Sequence, residues 1–233
     1  MWLTSSTVGK LISLFVFLYC TVVGGSLAPA ASRPPTVLTL AGDSIGVGTY
    51  ADDSRLTLQH QLEDRTRGAL LILNHSYGGD GISGNGITRH VPNALDIWAT
   101  GGIPVIMLGT NDWARSTPLD QFSSEYESFL DAVTYLRDRA YCVTPLWRAN
   151  ENQPNAAGLF LQEYRDAIAR VCATLPQAVT VDGLQLVPAD PSYFVDGLHP
   201  NARGNVLMAR RLAAIFSTTL PATAPASADE PFP

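Results

Sequence analysis

Lysine is almost absent from this chain of 233 residues, in which Lys10 is the one example. The 15 basic residues are therefore Lys10 and 14 arginines, against 21 acidic residues, and the net charge is −6. A nucleic-acid-binding protein is expected to carry a clustered basic face, and a protein held on anionic lipid a basic amphipathic stretch. The sequence therefore predicts neither a nucleic-acid partner nor attachment to a membrane surface.

Long hydrophobic runs are also scarce, and the longest lies at the amino terminus. Lys10 is followed by LISLFVFLYCTVV, a run shorter than the roughly 20 residues that a spanning helix needs, and then by small residues. This pattern is typical of a secretory signal with a cleavage site near Ala28-Pro29-Ala30. We expect residues 1–31 to be a signal peptide, with an uncleaved anchor as the alternative, and the protein to be secreted or periplasmic.

Cysteine is rare, and this limits the kinds of bound metal that the chain can hold. Beyond the leader only Cys142 and Cys172 remain, an even number in an oxidising compartment. They are predicted either to form a disulfide or to be two buried thiols. Neither paired-cysteine nor HxxxH spacing occurs, so the sequence predicts no metal site.

The body of the chain alternates short apolar runs with amphipathic stretches, which is typical of a parallel sheet covered by helices. The amphipathic stretches predict helices over residues 156–173 and 202–216, and one on which Phe122, Tyr126, Phe129, Val133 and Leu136 share a face. One doubly wound α/β domain over residues 32–216 follows, with a disordered tail, rich in Ala, Pro, Ser and Thr, over residues 217–233. The five predicted strands are 36–40, 69–73, 103–108, 141–144 and 179–181.

Polar, glycine-rich segments follow these strands, where ligands bind in open α/β sheets. Ser44 follows the first strand as a candidate nucleophile, which needs a base at neutral pH. His199 is the candidate base, and Asp196, three residues earlier, can orient its ring. The backbone N–H groups of Ser44 and Gly79 and the Asn111 side chain are candidate donors to an oxyanion, although Gly78 could replace Gly79.

In combination these segments resemble the SGNH (GDSL) hydrolase superfamily over residues 36–216. Gly42-Asp43-Ser44-Ile45 matches the first block with Ile in place of the usual Leu, residues 109–112 (GTND) match the third, and residues 196–201 (DGLHPN) match the last. The second block, near Gly79, is the loosest match. The resemblance implies a three-layer α/β/α flavodoxin-like fold and ester hydrolysis through an acyl-enzyme, without a metal or cofactor.

Residues 79–84 also spell G-x-G-x-x-G, the dinucleotide fingerprint. In that fold a helix opens directly from the loop, and an acidic residue follows about 20 positions later. Here Asn85-Gly86 delays the helix and Asp112 lies too far along the chain. We therefore predict no bound cofactor.

The substrate is the least determined feature of the sequence. Trp113, Trp147 and Tyr193, with Phe194, fall on loops near the predicted site and are candidates for substrate binding. We expect a monomeric serine esterase that acts on small-molecule or carbohydrate esters, with short-chain or carbohydrate-linked acyl groups favoured. An acyltransferase with the same triad, a lysophospholipase or thioesterase, and a noncatalytic carbohydrate-binding module remain as alternatives.

Overall fold

Five short strands form a single parallel sheet in the order β2-β1-β3-β4-β5. The structure is a computed structural model that describes residues 34–51, 53–83, 102–134 and 139–220. All five predicted strands are confirmed, with ends that differ by at most two residues. The strands are β1 (Thr36–Gly42), β2 (Leu70–Asn74), β3 (Ile103–Met107), β4 (Ala140–Val143) and β5 (Ala178–Val181).

The central strand is β1, which pairs with β2 on one side and β3 on the other. Leu38, for example, lies opposite Ile72 of β2 and Ile103 of β3. The chain reverses its direction across the sheet between β1 and β3, which is the switch point of the flavodoxin-like order. The carboxyl ends of these two strands are therefore where this fold places its ligands.

Helices cover both faces of the sheet, which confirms the predicted three-layer α/β/α architecture. Residues alternate between the two faces along β3: Val105 and Met107 face one core, and Ile106 and the following Leu108 face the other. The first core contains α2 and α6, and the second contains α4 and α5. The helices are α1 (Ser44–Val47), α2 (Leu58–Arg65), α3 (Thr110–Ala114), α4 (Leu119–Thr134), α5 (Leu161–Cys172) and α6 (Ala202–Thr219).

The apolar stripe predicted for α4 is buried as expected at Phe122, Tyr126, Phe129 and Val133. Its last member, Leu136, lies outside the described residues, as do the predicted signal segment over residues 1–31 and the tail from residue 221.

The predicted limits of two helices need correction. The helix expected from residue 156 begins at Leu161, because the Asn155 Oδ1 atom accepts hydrogen bonds from the N–H groups of Ala157 and Leu159 and so forms a turn first. The last helix continues to Thr219, beyond the expected end at Phe216, so residues 217–219 are helical and do not belong to the predicted disordered tail.

Cys142 on β4 and Cys172 at the end of α5 are joined as a disulfide, which resolves the two alternatives left open by the sequence in favour of the bridge. Their Cα atoms lie 6.3 Å apart. The bridge ties α5 to the sheet at a point within the core, since both residues are fully buried. Within the described part of the chain, no helix is both long and apolar enough to cross a membrane.

Candidate active site

Ser44 is presented where β1 turns sharply into α1. The preceding residue, Asp43, caps α1 because its Oδ1 atom accepts the Ile45 N–H at 2.8 Å. Gly46 must be small, since a Cβ atom there would lie 2.2 Å from the Ser76 Oγ atom. This close packing holds α1 against the neighbouring loop, with Ser44 at the carboxyl edge of the sheet.

The Ser44 hydroxyl is hydrogen-bonded to His199, which in turn is hydrogen-bonded to Asp196. The distances are 2.8 Å from Ser44 Oγ to His199 Nε2 and 2.8 Å from His199 Nδ1 to Asp196 Oδ2. Ser44 and His199 are 155 positions apart in the chain. The structure thus brings together the three residues that the sequence suggested as nucleophile, base and orienting carboxylate.

The loop over residues 194–200 folds so that one carboxylate both closes the turn and holds the imidazole. Asp196 Oδ1 accepts the N–H groups of Leu198 at 3.0 Å and His199 at 2.8 Å, which leaves Oδ2 free to bind the ring. Gly197 has a φ of +75°, a conformation in which glycine is strongly favoured. The Asp-x-x-His spacing is therefore a compact turn with its own internal hydrogen bonds.

The charge of Asp196 is stabilised by this turn. Partial burial acts to raise the pKa of its carboxyl, but the hydrogen bonds from the His199 backbone and ring and from the Leu198 N–H outweigh it and lower the pKa. Asp196 therefore stays ionised at neutral pH, the state in which it favours protonation of the imidazole Nδ1 atom.

Asn111 connects the loops that follow three strands. It is the second residue of α3, and its Nδ2 atom donates to the Asp80 carbonyl at 2.8 Å and to Asp43 Oδ2 at 3.3 Å. Asp80 follows β2 and Asp43 follows β1. The amide predicted as an oxyanion donor therefore lies beside the residue that precedes Ser44.

The loop after β2 carries Gly78 and Gly79, between which the sequence could not choose the candidate oxyanion donor. Gly78 and Gly79 are the exposed central residues of a turn closed by the Asp80 N–H and the Tyr77 carbonyl. Gly79 has a φ of +79°, and its carbonyl accepts a hydrogen bond from Arg115. Residues 79–82 contain no helical turn, unlike a dinucleotide-binding loop, in which a helix opens directly.

Two buried carboxylates order the loops around the site, and one of them was not identified from the sequence. Asp43, which belongs to the first matching block of the sequence, accepts the Ile45 N–H. Asp112 was missed as a loop-ordering residue: it is fully buried and accepts the N–H groups of Ile82 and Ser83 at 3.0 and 2.8 Å. The one feature of the sequence that could have pointed to Asp112 is its position next to Asn111.

Burial changes the acidity of both carboxyls. It raises the pKa of Asp43 to about 7, although the Ile45 N–H bond acts in the opposite direction. It also raises the pKa of Asp112, again against two backbone hydrogen bonds. Both effects arise because a charged carboxylate is poorly solvated in the protein interior.

The aromatic residues proposed for substrate binding do not form a continuous exposed wall. Trp113 is 4% exposed, and its indole N–H donates to the Leu159 carbonyl at 2.9 Å, so it belongs to the core. Trp147 is half-buried against Phe194, with ring centroids 5.0 Å apart. Tyr193 is half-buried, with the Arg203 guanidinium 5.1 Å from its ring centroid.

Tyr50 is a residue near the site that sequence reasoning missed. Its ring lies edge-on to the His199 imidazole, with centroids 5.2 Å apart and an interplanar angle of 70°. It is 54% exposed and has a φ of 66°, which is uncommon for a residue with a bulky side chain. No sequence signal marks it, because the contact depends on the packing of two loops that are far apart in the chain.

Metal ligands do not cluster in the described residues, where no group of three or more His, Cys, Asp or Glu side chains could hold an ion.

Most of this chain matches the model of a known protein family. The model of the GDSL-like Lipase/Acylhydrolase family matches residues 40–207. Comparison with curated proteins finds no match.

Solved structures share the fold at low sequence identity. The lipase/acylhydrolase from Enterococcus faecalis is 18% identical with a TM-score of 0.65, covering 78% of this chain and 96% of that one. Esterase EstA from Pseudoalteromonas sp. is 14% identical with a TM-score of 0.64, covering 78% and 97%. Salicylyl-acyltransferase SsfX3 from a tetracycline biosynthetic pathway is 17% identical with a TM-score of 0.62, covering 79% and 56%.

Proposed function

Because this chain belongs to the GDSL-like lipase/acylhydrolase family and is a serine hydrolase that acts on esters, we propose that Ser44, His199 and Asp196 are its catalytic triad. The observation that carries this proposal is the continuous hydrogen-bond chain from Ser44 Oγ through both ring nitrogens of His199 to Asp196. Each of these residues has the partner that its role requires.

In the acylation step, Ser44 Oγ attacks the ester carbonyl while His199 Nε2 takes the hydroxyl proton. The imidazolium that forms is stabilised by Asp196 and then donates the same proton to the departing alkoxide. In the second step a water molecule gives its proton to His199 and attacks the acyl-enzyme. His199 returns that proton to Ser44 Oγ as the acid leaves, so the enzyme is restored.

The negative charge on the tetrahedral oxygen requires fixed donors. We propose the backbone N–H groups of Ser44 and Gly79 together with the Asn111 side chain. The Asn111 bond to the Asp80 carbonyl is short and anchors the amide, whereas the 3.3 Å contact with Asp43 is long. The N–H of that long contact is the more weakly bonded of the two, and it is the one that we propose as a donor to the oxyanion. Loss of one such donor typically costs about 3–4 kcal/mol of transition-state stabilisation.

Short acyl groups are the favoured substrates. We propose an esterase for acetyl or similarly small acyl groups, on small-molecule or carbohydrate alcohols, as the sequence favours.

The direct test is hydrolysis of p-nitrophenyl acetate by the wild type, Ser44→Ala and Ser128→Ala. Ser128 is a suitable control, because it is exposed on α4 and its hydroxyl bonds only the Ser124 carbonyl of its own helix. We expect Ser44→Ala to lose nearly all activity while retaining its circular dichroism spectrum, and Ser128→Ala to match the wild type. A folded Ser44→Ala variant with undiminished activity would refute the assignment.

A further inference from the structure

Arg148 lies at the edge of the proposed active site, in the segment that follows β4. Its Nη1 atom lies 3.4 Å from both the carbonyl and the hydroxyl oxygen of Thr110, the residue before Asn111. On its other side, the Ala149 N–H donates to the Gly197 carbonyl at 2.8 Å. Arg148 is therefore placed between the loop of the oxyanion donor and the loop of the catalytic histidine.

The guanidinium of Arg148 is held in one orientation before any substrate binds. It lies over the ring of Trp113, 4.6 Å from the centroid, and its Nε atom donates to Asn150 Oδ1 at 2.9 Å. Trp113 itself is anchored by its hydrogen bond to Leu159. With Nε bonded to Asn150 and Nη1 placed against Thr110, the planar guanidinium presents its Nη2 N–H groups for a charge-assisted hydrogen bond to a carboxylate.

The side-chain hydrogen bonds of this guanidinium go to neutral partners and not to a carboxylate. The acidic residue closest in sequence is Glu151, whose carboxylate forms a 2.5 Å ion pair with the buried Arg165. Within the described part of the chain, no carboxylate lies within the 4.0 Å of an ion pair with Arg148. Burial lowers the pKa of the Arg148 guanidinium, against the opposing charges of Asp196, Glu151 and Asp43. Desolvating a half-buried cation that has no ion-pair partner costs free energy, and an anionic ligand would offset that cost.

We propose that Arg148 binds a carboxylate on the alcohol portion of the ester, so that the preferred substrates are short acyl esters of hydroxy acids. The alcohol portion is the favoured side because Arg148 adjoins the loop of His199, the residue proposed to protonate the departing alcohol. This inference rests on the proposed catalytic role of Ser44.

The test compares two esters that differ in charge but have nearly the same shape, 4-acetoxybenzoate and 4-acetoxybenzamide. The wild type should have a kcat/KM about 10- to 100-fold higher for the carboxylate, the range expected for a charge-assisted hydrogen bond. The overall negative charge of the protein opposes this preference. Equal rates, or a preference for the amide, would overturn the inference without any need for a variant.

Three variants test whether Arg148 is the source of the preference for the carboxylate ester. Arg148→Gln should lower kcat/KM for the carboxylate by about the same 10- to 100-fold and change that for the amide by less than about twofold. Arg148→Lys should retain part of the preference for the carboxylate ester, since lysine keeps the charge but lacks the planar guanidinium. Arg210→Gln removes an exposed arginine on α6 and should match the wild type. An equal loss for both esters in Arg148→Gln would indicate a structural role and contradict the proposal.

Ser44→Ala, assayed in parallel, distinguishes a failure of the role of Arg148 from a failure of the proposed esterase function. If hydrolysis of both esters depends on Ser44 but shows no charge preference, only the role of Arg148 fails. If neither ester is hydrolysed in a Ser44-dependent way, the proposed function fails and the inference falls with it.

Discussion

At the scale of single residues, Asp43 accepts two hydrogen bonds as a carboxylate although its burial disfavours the charged form. It caps the helix that starts at Ser44, and it also accepts the longer hydrogen bond from the Asn111 amide. It does this while 1% exposed, so that its charge is poorly solvated. Holding Ser44 and Asn111 in place with one buried carboxyl therefore brings a stability penalty that depends on pH.

The sign of this penalty follows from the pKa of Asp43, which burial raises from 3.8 to about 7. Between these two values the unfolded chain loses the proton while the folded protein keeps it, so stability falls as pH rises. Asn does not titrate. The unfolding free energy of the wild type relative to Asp43→Asn should thus decrease between about pH 4 and 7, by up to ~1.4 kcal/mol per pH unit, and then level off.

Denaturant unfolding of both proteins at several pH values measures this difference. Asp131→Asn, which alters an exposed carboxyl on α4, should run parallel to the wild type throughout. A constant difference between wild type and Asp43→Asn across this pH range would show that Asp43 does not have a raised pKa.

Residue types and spacing predicted the positions of Ser44, Asp196 and His199, because each belongs to a short segment with its own local geometry. Other features near the site could not be found in this way. Tyr50 contacts His199 only through tertiary packing, and Trp113, a candidate for substrate binding, is buried. An aromatic residue on a loop carries no local signal of which side of the chain it will face.

At the scale of elements, α4 and α5 pack through aromatic rings, and the two tyrosine hydroxyls in this contact differ in their hydrogen bonding. Phe122 lies between two tyrosines, with ring centroids 5.8 Å from Tyr126 and 5.0 Å from Tyr164. The Tyr164 hydroxyl donates to the Thr117 carbonyl. The Tyr126 hydroxyl is buried and has no hydrogen-bond partner among the described residues. A buried hydroxyl without a partner costs free energy.

Removing these two hydroxyls should therefore have opposite effects. Tyr164→Phe leaves the Thr117 carbonyl without its donor and should lower the unfolding free energy by about 1–2 kcal/mol. Tyr126→Phe removes an unsatisfied group and should leave stability unchanged or raise it by up to about 1 kcal/mol. Thermal or urea unfolding of the two variants provides the comparison. A larger loss in Tyr126→Phe than in Tyr164→Phe would contradict this account of the interface.

Periodicity was sufficient to predict these elements but not all of their limits. The apolar face of α4 repeats at helical spacing, and the sheet strands are short apolar runs, so both are visible in the sequence. The start of α5 was misplaced because residues 156–160 are compatible with a helix, whereas Asn155 uses its side chain to form a turn. Side-chain bonds to the backbone of this kind compete with helix formation at the level of single residues.

At the scale of the whole molecule, the sheet order brings together loops that are remote in sequence. The site draws on the ends of β1, β2 and β3 and on the loop before α6. The disulfide between Cys142 and Cys172 closes a loop of 30 residues and contributes about 3–4 kcal/mol in the chain-entropy model. Alternation of strands and helices predicted the parallel sheet, but the distances between side chains required the three-dimensional structure.

The central claim is that this assembly makes Ser44 the nucleophile, and covalent labelling tests it most directly. The native protein would be treated with a fluorophosphonate, digested, and mapped by mass spectrometry. The adduct should lie on Ser44, labelling should be strongly slowed in His199→Ala, and Ser44→Ala should remain unlabelled. A stable adduct on another residue, or equal labelling of folded Ser44→Ala, would contradict the account.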